Sequence, residues 1–564
     1  MSGHKFKPGE TVDFAVVGSG AAGGVIAREL ALAGFSIVVL EQGPRLSPAD
    51  FEHDELKYTY LHGIINDPSV SPQTFRRDPD ARGMRRSGLN PLVYARIVGG
   101  SSTHFTANYW RFHEIDFKER TVLGSIPGTG FSDWPISYAE LEPYYTKVEW
   151  EVGVSGLAGA SPFDPPRTKP YPMPPLPVKS SGVLLERGAR KLGLHPFPAP
   201  MAILSQPYRG RPACVSCGFC IGFGCEVMAK SSVLYNMIPE AEATGRCEVR
   251  PGSYVFRVET DARGSATGVH YFDSGKHEVF QKARAVIVSA NGAETPRLLL
   301  NSTSARFPQG LANSSGMVGK HLMFNQNTAV HAVFEHELNE YKSVQVTRVV
   351  HDFYDSDPRR GFYGGGGIDS RIGRQPIGWA LAAGGNLPTW GPALKERLQA
   401  FPRSMVCAGH STSLPLETNS VSLDPDLKDA WGIPAIRVTY RDHPDDLAMA
   451  RFLRDRSVDI MQAAGARKIW TEDVTERTIS VHLLGTCRMG HDETTSVIDK
   501  SHRAHDVPNL FLCDGSSFVT SGRGQPTMTI QALAFRAADE ITRLARRNEI
   551  GPRATSRRST ARLS

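Results

Sequence analysis

The first forty residues alternate between apolar runs and turn residues in a strand–helix–strand order. Val12–Val17 is a β-rich run that ends at Gly18. In residues 23–33 apolar side chains recur at near-helical spacing, and Gly34 follows as a typical helix stop. Residues 36–40 form a second apolar run. The pattern predicts a βαβ unit at the start of the chain.

Four later stretches predict the rest of the architecture. Residues 445–464 have the pattern of an amphipathic helix with an acidic first turn, and Gly465 ends it. A last helix is predicted to begin near Thr529, since apolar residues follow at i, i+3, i+4 and i+7 spacing. β-type runs in residues 325–440 predict an antiparallel sheet. The proline-rich residues 155–212 predict a long surface connection.

Composition narrows the class of protein. Apolar residues make up 40% of the chain and charged residues 22%, as in an ordinary soluble enzyme, and 564 residues predict two lobes. The net charge is +6, and part of it lies in an arginine-rich end, residues 546–562, which predicts a disordered basic tail. No aromatic residues or binding motif accompany these arginines, so we expect no nucleic-acid partner.

Apolar runs and the N-terminal residues bear on location. No run approaches the roughly 18 apolar residues of a membrane span. Residues 1–11 are polar and lack the apolar core of a signal peptide. We therefore expect a cytoplasmic protein with no direct membrane span. A periplasmic protein, exported with a signal-bearing partner, is the alternative.

A glycine-rich turn inside the βαβ unit predicts dinucleotide binding. Gly18, Gly20 and Gly23 form the pattern G-x-G-x-x-G between strand and helix. The first glycine allows the tight turn, the second lets a pyrophosphate approach the backbone, and the third lets helix and strand pack. Glu41 ends the second strand, where a carboxylate accepts hydrogen bonds from ribose and repels a 2′-phosphate. NADP is therefore disfavoured, while NAD and FAD stay open.

Four further segments separate NAD from FAD. Together with the glycine pattern they resemble the glucose–methanol–choline (GMC) oxidoreductases in order and spacing, over nearly the whole chain: residues 96–106, 294–300, 482–490, and 509–515 with 526–532. The resemblance implies an FAD-dependent enzyme that oxidises an alcohol by hydride transfer to flavin. It implies an α/β fold, in which a Rossmann-like FAD-binding domain carries an inserted α+β substrate domain on an antiparallel sheet.

The resemblance suggests a division of the chain. We expect substrate choice to depend on residues 325–415, which match nothing in the family pattern. The expected parts are the FAD-binding domain at 1–125, 241–324 and 476–546, a connecting and cysteine-rich segment at 126–240, the substrate domain at 325–475, and the tail at 547–564.

The resemblance also implies the catalytic groups. A base must take the hydroxyl proton while hydride leaves carbon, and histidine suits this because its pKa lies near neutrality. The family pattern assigns that role to His482. The second group, Asn or His in the family, is Gln525 here, whose stem is one methylene longer than that of Asn. Arg523 or a nearby group is the alternative partner for the substrate oxygen.

Several flavin contacts follow from the same resemblance. Gly100 and Ser101 belong to the second flavin-contacting loop, and Asp514 to the acidic position near the ribityl chain and phosphate. Pro526 and Thr527 lie at the start of the last helix, whose N-terminal dipole would favour negative charge on the reduced flavin.

One loop raises the question of a covalent flavin. Residues 102–106, Ser-Thr-His-Phe-Thr, resemble the Ser-Thr-His-Trp-Thr of pyranose 2-oxidases, where the histidine is bonded to the flavin 8α-methyl. The resemblance implies a covalent anchor at His104 and places Thr106 near N5. A noncovalent histidine packed beside the ring is the alternative.

Four of the eight cysteines crowd into one short segment. Cys214, Cys217, Cys220 and Cys225 have gaps of x₂, x₂ and x₄. This density suits an iron–sulfur cluster, although the bacterial ferredoxin run uses x₂, x₂, x₃, and thiolates also bind zinc. The segment resembles stretches in membrane-linked sugar dehydrogenases, where a three-iron cluster relays electrons to a cytochrome. A cluster, zinc, and free thiols or local disulfides are the three alternatives.

The favoured function is a flavin dehydrogenase that acts on a secondary hydroxyl of a sugar or glycoside, at C2 or C3 of a pyranose. By the resemblance, its expected partners are a small subunit and a cytochrome c electron acceptor. The alternatives are an oxidase of sterols or long-chain alcohols that yields hydrogen peroxide, an enzyme for a sugar acid such as gluconate, and a non-catalytic flavin-binding subunit.

Overall fold

The strands form three sheets in the computed structural model, which describes residues 5–7, 9–59, 63–382 and 387–550. The last part of the predicted basic tail, residues 551–564, lies outside the described residues. The strands are β1 (Val12–Val17), β2 (Ile37–Leu40), β3 (Gln73–Arg76), β4 (Met84–Arg85), β5 (Phe197–Pro198), β6 (Cys247–Arg250), β7 (Tyr254–Thr260), β8 (Ala266–Phe272), β9 (Glu278–Val288), β10 (Asn327–Val333), β11 (Arg348–Val350), β12 (Gly366–Arg371), β13 (Ser404–Ser411), β14 (Ser420–Lys428), β15 (Pro434–Thr439), β16 (Lys468–Thr471) and β17 (Leu510–Leu512).

In chain order, most of the α-helices connect strands that belong to different sheets. They are α1 (Ala21–Leu32), α2 (Glu55–Thr59), α3 (Glu119–Leu123), α4 (Tyr138–Val152), α5 (Ser180–Lys191), α6 (Met237–Ala243), α7 (Asn291–Asn301), α8 (Pro376–Leu381), α9 (Gly391–Gln399), α10 (Pro444–Ala463) and α11 (Thr527–Arg546).

The first sheet contains the predicted βαβ unit. Five strands run parallel in the order β6–β2–β1–β9–β17. The first half of the long strand β9 instead pairs antiparallel with β8, and β8 pairs with β7. Helix α1 connects β1 to β2 and packs against α11 and α6. This is the α/β, Rossmann-like arrangement that the glycine pattern predicts, so the fold class is confirmed.

The second sheet is the antiparallel sheet expected in the middle of the chain. Its six strands follow the order β16–β10–β13–β12–β11–β5, and each neighbouring pair is antiparallel. One face is apolar and packs on helices α5 and α10, where Val330, Ile368 and Cys407 share a core with Leu185 and Leu453. Burial of this face holds the sheet in place, because each fully buried aliphatic side chain contributes about 1.5–3 kcal/mol.

The opposite face of this sheet is polar. Directly paired residues of antiparallel strands point to the same side, and so do alternate residues along one strand. Asn327 pairs with His410, and His410 pairs with Gly367. Asp369 and Arg371 follow Gly367 at alternate positions of β12, so they share the face of His410. We name this surface the polar face; it is defined by Asn327, Asp369, Arg371 and His410.

The third sheet joins early and late parts of the chain. Its order is β14–β15–β3–β4, with β15 and β3 parallel. Residues 73–76 thus pair with residues 436–439 across most of the sequence. Such long-range pairing fixes the second lobe against the first.

Two elements differ from the sequence expectation. The proline-rich stretch is not only a surface connection, because it contains helix α5, which packs on α10. Residues 180–191 lack proline and bury Leu184 and Leu185, so tertiary packing stabilises a helix inside a proline-rich region. The apolar run near residues 344–350 forms only the short strand β11. Among the described helices, none combines the length and the apolar character that a membrane span requires.

Candidate active site

A cavity of about 500 Å³ lies where the parallel strands of the first sheet end. Val17, Leu40, Ser289 and Asp514 line it, and each lies at or within two residues of the carboxyl end of a different parallel strand. Ligands of open parallel sheets bind at this edge. Of the predicted cofactor contacts, only Gly23 does not line the cavity.

The three glycines of the first turn meet three different steric demands. Gly18 has φ +92°, and a Cβ there would lie 2.5 Å from the carbonyl oxygen of Ser289. A Cβ on Gly23 would lie 2.0 Å from the carbonyl oxygen of Gly18, which explains its place behind the cavity. Gly20 differs, since its Cβ would meet only the Cα of Gly100, at 3.9 Å. Gly20 therefore leaves room on the cavity side rather than within the protein.

Glu41 forms the floor of the cavity beside this turn. Its Oε2 accepts hydrogen bonds from the Ser19 backbone N–H at 3.1 Å and the Ser19 hydroxyl at 2.7 Å, and its Oε1 accepts from the Gly43 N–H at 3.0 Å. Burial raises the pKa of the Glu41 carboxyl, while the hydrogen bonds from Gly43 and Ser19 oppose that shift. The side chain is thus fixed at the end of β2, where the sequence placed the ribose-binding acid.

The second glycine loop closes over the first. The Gly99 N–H donates to the Ser19 hydroxyl at 3.1 Å, and Gly100 has φ +55° at the point of closest approach. A Cβ on Gly100 would lie 2.8 Å from the Cα of Gly20. Gly100, Ser101 and the following residues to Thr106 then continue along the cavity wall.

His104 is the polar group in this loop that lacks a partner. Its ring nitrogen Nε2 is buried and has no hydrogen-bond partner among the described residues. Burial, with a contribution from the positive charge of Lys230, lowers the pKa of His104 to about 4. The imidazole is therefore neutral at pH 7, in a residue that lines the cavity and whose Nε2 is buried and unsatisfied. A buried orphan nitrogen of this kind calls for a ligand contact.

Asp514 and the start of α11 complete the opposite wall. Asp514 Oδ2 accepts from the Asn291 N–H at 3.0 Å and the Thr295 hydroxyl at 2.6 Å, and Oδ1 accepts from the Ser516 N–H at 2.7 Å. Burial raises the pKa of this carboxyl, against the hydrogen bonds that lower it. Pro526 and Thr527 lie at the N-terminal end of the twenty-residue helix α11, and both line the cavity. The positive end of that helix therefore faces the cavity.

His482 lies on the same cavity wall and is oriented by Asn325. The Nδ1 of His482 lies 3.1 Å from Oδ1 of Asn325. The amide nitrogen of Asn325 donates to the carbonyl oxygens of Ser411 at 2.9 Å and Gly522 at 3.2 Å, so its Oδ1 is an acceptor. Because an acceptor requires a donor opposite it, His482 carries its proton on Nδ1. Its Nε2 is left with a free lone pair.

Electrostatics keep His482 neutral. Burial lowers its pKa to about 3, and the positive charge of Arg477, with His410 and Arg371 nearby, adds to the shift. The neutral ring is the form that accepts a proton, so the imidazole is in its base form over the physiological pH range.

Gln525 and Arg523 lie close in sequence but have different surroundings. Gln525 lines the cavity and its side chain makes no hydrogen bond with another described residue. Arg523 is 1% exposed and pairs with Asp116 and Glu119. It does not line the cavity, so its position does not support the alternative that Arg523 holds the substrate oxygen. An arginine locked between two buried carboxylates is unavailable to a ligand.

Sequence reasoning missed several residues of the site. Asn325 was not identified because its role depends on a contact with a residue 157 positions away. Asn327 and Arg371 line the cavity from strands of the second sheet. The signal that was available is the alternation of charged residues in Ile-Asp-Ser-Arg, residues 368–371, within a strand that is otherwise buried.

The four clustered cysteines lie outside this cavity. They line a second, much smaller cavity together with Lys230. Burial raises the pKa of Cys214 and of Cys217, and it raises the pKa of Cys220 to about 12, so these sulfurs are thiols in the metal-free protein. In the part of the chain that the structure describes, no group of three or more His, Cys, Asp or Glu side chains is arranged to hold a metal ion. The residues as placed do not fit a cluster, and we derive no step through one.

The cysteine segment nevertheless contacts the second glycine loop. The Gly222 N–H donates to the carbonyl oxygen of His104 at 2.8 Å. The ammonium group of Lys230 donates to the carbonyl oxygens of Phe105 at 3.1 Å and Phe223 at 2.7 Å. Ile221 lines the large cavity itself. The segment therefore supports the loop that carries His104.

The fold and the cavity are those of a dinucleotide-binding protein in which strands of the second sheet also line the site. The sequence matches the GMC oxidoreductase family over residues 13–327 and 415–534, so the chain belongs to that family. It is an enzyme of the kind that acts on CH–OH donors. The family implies FAD, and the residues present fit it: the open side of Gly20 and the positive end of α11 face one cavity, which His104 also lines.

Known proteins with similar sequences span the whole chain. The 2-methyl-1,2-propanediol dehydrogenase of Mycolicibacterium austroafricanum is 35% identical over 548 residues, which cover 95% of this chain and 96% of that protein. The fructose dehydrogenase large subunit of Gluconobacter japonicus is 32% identical over 558 residues, covering 94% and 98%. A formate oxidase structure superposes with a TM-score of 0.64 at 15% identity, covering 97% of this chain and 100% of that one, which shows the shared fold.

Proposed function

We propose that this protein is an FAD-dependent dehydrogenase that oxidises one hydroxyl of a small polyhydroxylated molecule. A secondary hydroxyl of a sugar or glycoside, at C2 or C3 of a pyranose, is the first expectation. The relatives named for a diol and for fructose support a polyol donor. The polar face supports it too, because the polar side chains that it contributes to the cavity, Asn327 and Arg371, would oppose a sterol or a long alkyl chain.

A single observation carries this proposal: His482 is held by Asn325 with its basic nitrogen free, in the cavity that the predicted flavin residues line. When bound, FAD supplies the acceptor for the hydride that leaves the alcohol carbon. Nε2 of His482 accepts the hydroxyl proton as that happens. The positive charge that develops on the ring strengthens the hydrogen bond from Nδ1 to Asn325, since bonds from charged donors are stronger.

Gln525 is proposed to hold the substrate oxygen. Its free amide lies at the same cavity as His482, immediately before the helix α11. The amide N–H donates to the oxygen whose proton moves to His482. The N-terminus of α11 favours negative charge nearby.

Anaerobic reduction of the purified flavoprotein by a panel of donors tests the proposal. We expect loss of the oxidised flavin band with sugars, glycosides or small diols, and little loss with cholesterol or 1-decanol. If only cholesterol or 1-decanol bleached the flavin, the substrate would be a sterol or a long-chain alcohol instead of a polyol. No bleaching by any alcohol would favour a non-catalytic flavin subunit.

We further propose that His104 is a covalent flavin anchor. The support is its buried, partnerless Nε2 and its neutral ring, since a neutral nitrogen with a free lone pair is the nucleophilic form. Acid precipitation separates the alternatives: yellow colour in the pellet indicates a covalent bond, and colour in the supernatant indicates a noncovalent contact. The His104→Ala variant should move the colour from pellet to supernatant.

The electron acceptor is proposed to be a protein partner, a small subunit together with a cytochrome c, rather than oxygen. Support comes from the relative named as a large subunit, and from the contact between the cysteine segment and the His104 loop. The sequence predicts an iron–sulfur cluster at the four cysteines, and within the described residues the cysteines as placed do not fit one. Iron and acid-labile sulfide analysis of anaerobically purified protein tests it, and turnover with oxygen compared with cytochrome c tests the acceptor.

A further inference from the structure

The polar face presents one guanidinium group to the cavity, that of Arg371. Arg371 lines the same cavity as His482 and Gln525, and its side chain keeps 18% of its surface exposed. It lies at the end of β12, in the second sheet. Nothing in the flavin-binding motifs involves this strand, so Arg371 belongs to the substrate side of the site.

Asp369 fixes the guanidinium in place. Its Oδ1 accepts from Nε of Arg371 at 2.6 Å, and its Oδ2 accepts from Nη2, which makes the pair bidentate. The Asp369 side chain has no exposed surface. A planar guanidinium held by two parallel hydrogen bonds has little freedom left. The third nitrogen, Nη1, has no hydrogen-bond partner within the described ranges, although Arg371 is half-buried.

The charge balance of the polar face favours a neutral ligand. Arg371 and Asp369 neutralise each other as a pair. His410 lies 3.7 Å from Asp369, and burial lowers the pKa of His410 to about 4, so it adds no positive charge at pH 7. Asn327, on the neighbouring edge of the cavity, is also uncharged. On the polar face a carboxylate would find no net positive charge to compensate its desolvation, whereas a hydroxyl oxygen needs only an N–H donor.

We propose that Nη1 of Arg371 binds a second hydroxyl of the substrate while His482 and Gln525 engage the hydroxyl that reacts. This assigns the substrate class as neutral diols and polyols, and it makes Arg371 the residue that discriminates them from mono-alcohols and from hydroxy acids. The inference rests on the proposed alcohol dehydrogenase function. It deepens that function by naming the group that the second lobe recognises.

Stopped-flow reduction of the flavin under anaerobic conditions tests this inference with matched donors. The donors are 1,2-propanediol, 1-propanol, 2-propanol and lactate, which differ in one oxygen-bearing group. For the wild-type enzyme we expect the second-order rate constant for flavin reduction by the diol to exceed that for either mono-alcohol by roughly 10- to 100-fold, the range for a hydrogen bond to a charged group. Lactate is expected to react more slowly than the diol.

Two variants separate recognition from folding. Arg371→Leu should lower the ratio of the diol rate constant to the mono-alcohol rate constants by roughly the same 10- to 100-fold, so the preference disappears. Because this change leaves Asp369 buried and unpaired, the double variant Asp369→Asn, Arg371→Met removes both charges and the N–H donors of Arg371, and it should also lose the preference. Arg374→Leu, at an exposed arginine three residues further on, is the matched control and should keep it.

The outcomes distinguish this inference from the proposed function. Equal reduction by 1,2-propanediol and the propanols would overturn the role of Arg371 but keep an alcohol dehydrogenase. A tenfold preference for lactate would overturn the neutral-ligand argument. Retention of the diol preference in the double variant would remove Arg371 from substrate recognition. If none of these donors, and no sugar, reduces the flavin, the proposed function fails and the inference fails with it.

Discussion

The two sides of the large cavity are built in different ways. On the flavin side, the wall consists of backbone at the glycine turns and of residues at the ends of parallel strands, such as Gly20 and Glu41. On the substrate side, the wall consists of side chains, such as Arg371, that project from one face of an antiparallel sheet. Cofactor binding should therefore be sensitive to any atom that is added on the flavin side. Substrate recognition should be sensitive to side-chain groups that are removed on the substrate side.

This difference also suits the flavin side to a constant cofactor and the substrate side to a substrate that can change. Backbone N–H groups at a tight turn recognise phosphate whatever side chains surround them, which suits a cofactor shared by a family. Side chains on a sheet can be exchanged without altering strand pairing, which suits a choice of substrate. Mutations on the flavin side should consequently alter flavin binding, and mutations on the substrate side should alter the rate of flavin reduction.

The largest effect is expected from one methyl group on the flavin side. Gly20→Ala suits the backbone, since φ is −70°, and the added Cβ would meet no protein atom closer than 3.9 Å. The fold should survive, but the methyl group occupies the space through which a pyrophosphate approaches the backbone. We expect purified Gly20→Ala to lack flavin, and with it all activity. The ratio of flavin to protein absorbance measures this, and far-UV circular dichroism checks the fold.

A flavin-loaded Gly20→Ala protein with normal activity would show that the phosphates lie elsewhere. Gly23→Ala provides the contrasting case. Its Cβ would lie 2.0 Å from the Gly18 carbonyl oxygen, so it should lose thermal stability as well as flavin.

Removing the base should come next in size. His482→Ala should keep its flavin, because the cofactor is held from the other side, and should reduce it about 10²- to 10⁴-fold more slowly, the usual contribution of a positioned general base. Anaerobic stopped-flow absorbance with the best donor measures the rate constant. His195→Ala is the matched control, since His195 pairs with Asp352 and does not line the cavity. A wild-type rate in His482→Ala would contradict the assignment of the base.

A smaller effect is expected from the residue that orients the base. Asn325→Ala removes the acceptor for Nδ1 of His482, a bond that becomes charge-assisted as the proton transfers. The loss should be about 1.5–3 kcal/mol, roughly 10- to 150-fold in the rate of flavin reduction. Most of it should appear in the limiting rate constant rather than in the donor concentration at half saturation.

Two comparisons show whether Asn325 acts through His482. Asn419→Ala removes a buried amide that exchanges hydrogen bonds with the Arg441 backbone, and it should cost stability without altering the rate constant. Asn325→Asp keeps the acceptor and places a negative charge beside the ring, so the pKa of His482 should rise. Equal rate losses in the two alanine variants would indicate a purely structural role for Asn325.

The flavin side was also the predictable side. Gly18, Gly20 and Glu41 fall within thirty residues of one another, and the demands of a tight turn and a ribose contact act on that local sequence. Their positions in the cavity follow once the strands are parallel. His482 and Gln525 came from family resemblance, and the structure places both at the cavity.

The substrate side was not predictable, because it depends on register. Asn325 reaches His482 across 157 residues, and the polar face exists only when β10, β13 and β12 pair as they do. A shift by one residue would turn Asp369 and Arg371 toward the helices on the apolar face. The proline-rich stretch conceals α5 because prolines on both sides obscure a short amphipathic pattern, whose buried face packs on α10.

The smallest expected effect is that of pH on the rate of flavin reduction, which should not change over the range where an ordinary histidine titrates. Burial, aided by the positive charge of Arg477, lowers the pKa of His482 from 6.5 to about 3. A base works in its neutral form, which is lost only as the pH falls through its pKa in the folded protein. The limiting rate of flavin reduction should therefore stay constant between about pH 8 and pH 5. With a histidine base of the usual pKa, that rate would fall roughly 30-fold over the same range.

The stability of the protein, in contrast, should depend on pH in this range. The unfolded chain takes up the proton first, so His482 makes the protein less stable as the pH falls below 6.5. Stopped-flow pH jumps from pH 7.5 separate the two, because they measure flavin reduction before the protein unfolds. In Asn325→Asp the rate should begin to fall at a higher pH than in the wild type, and a wild-type inflection near pH 6.5 would mean that His482 is hydrated or is not the base.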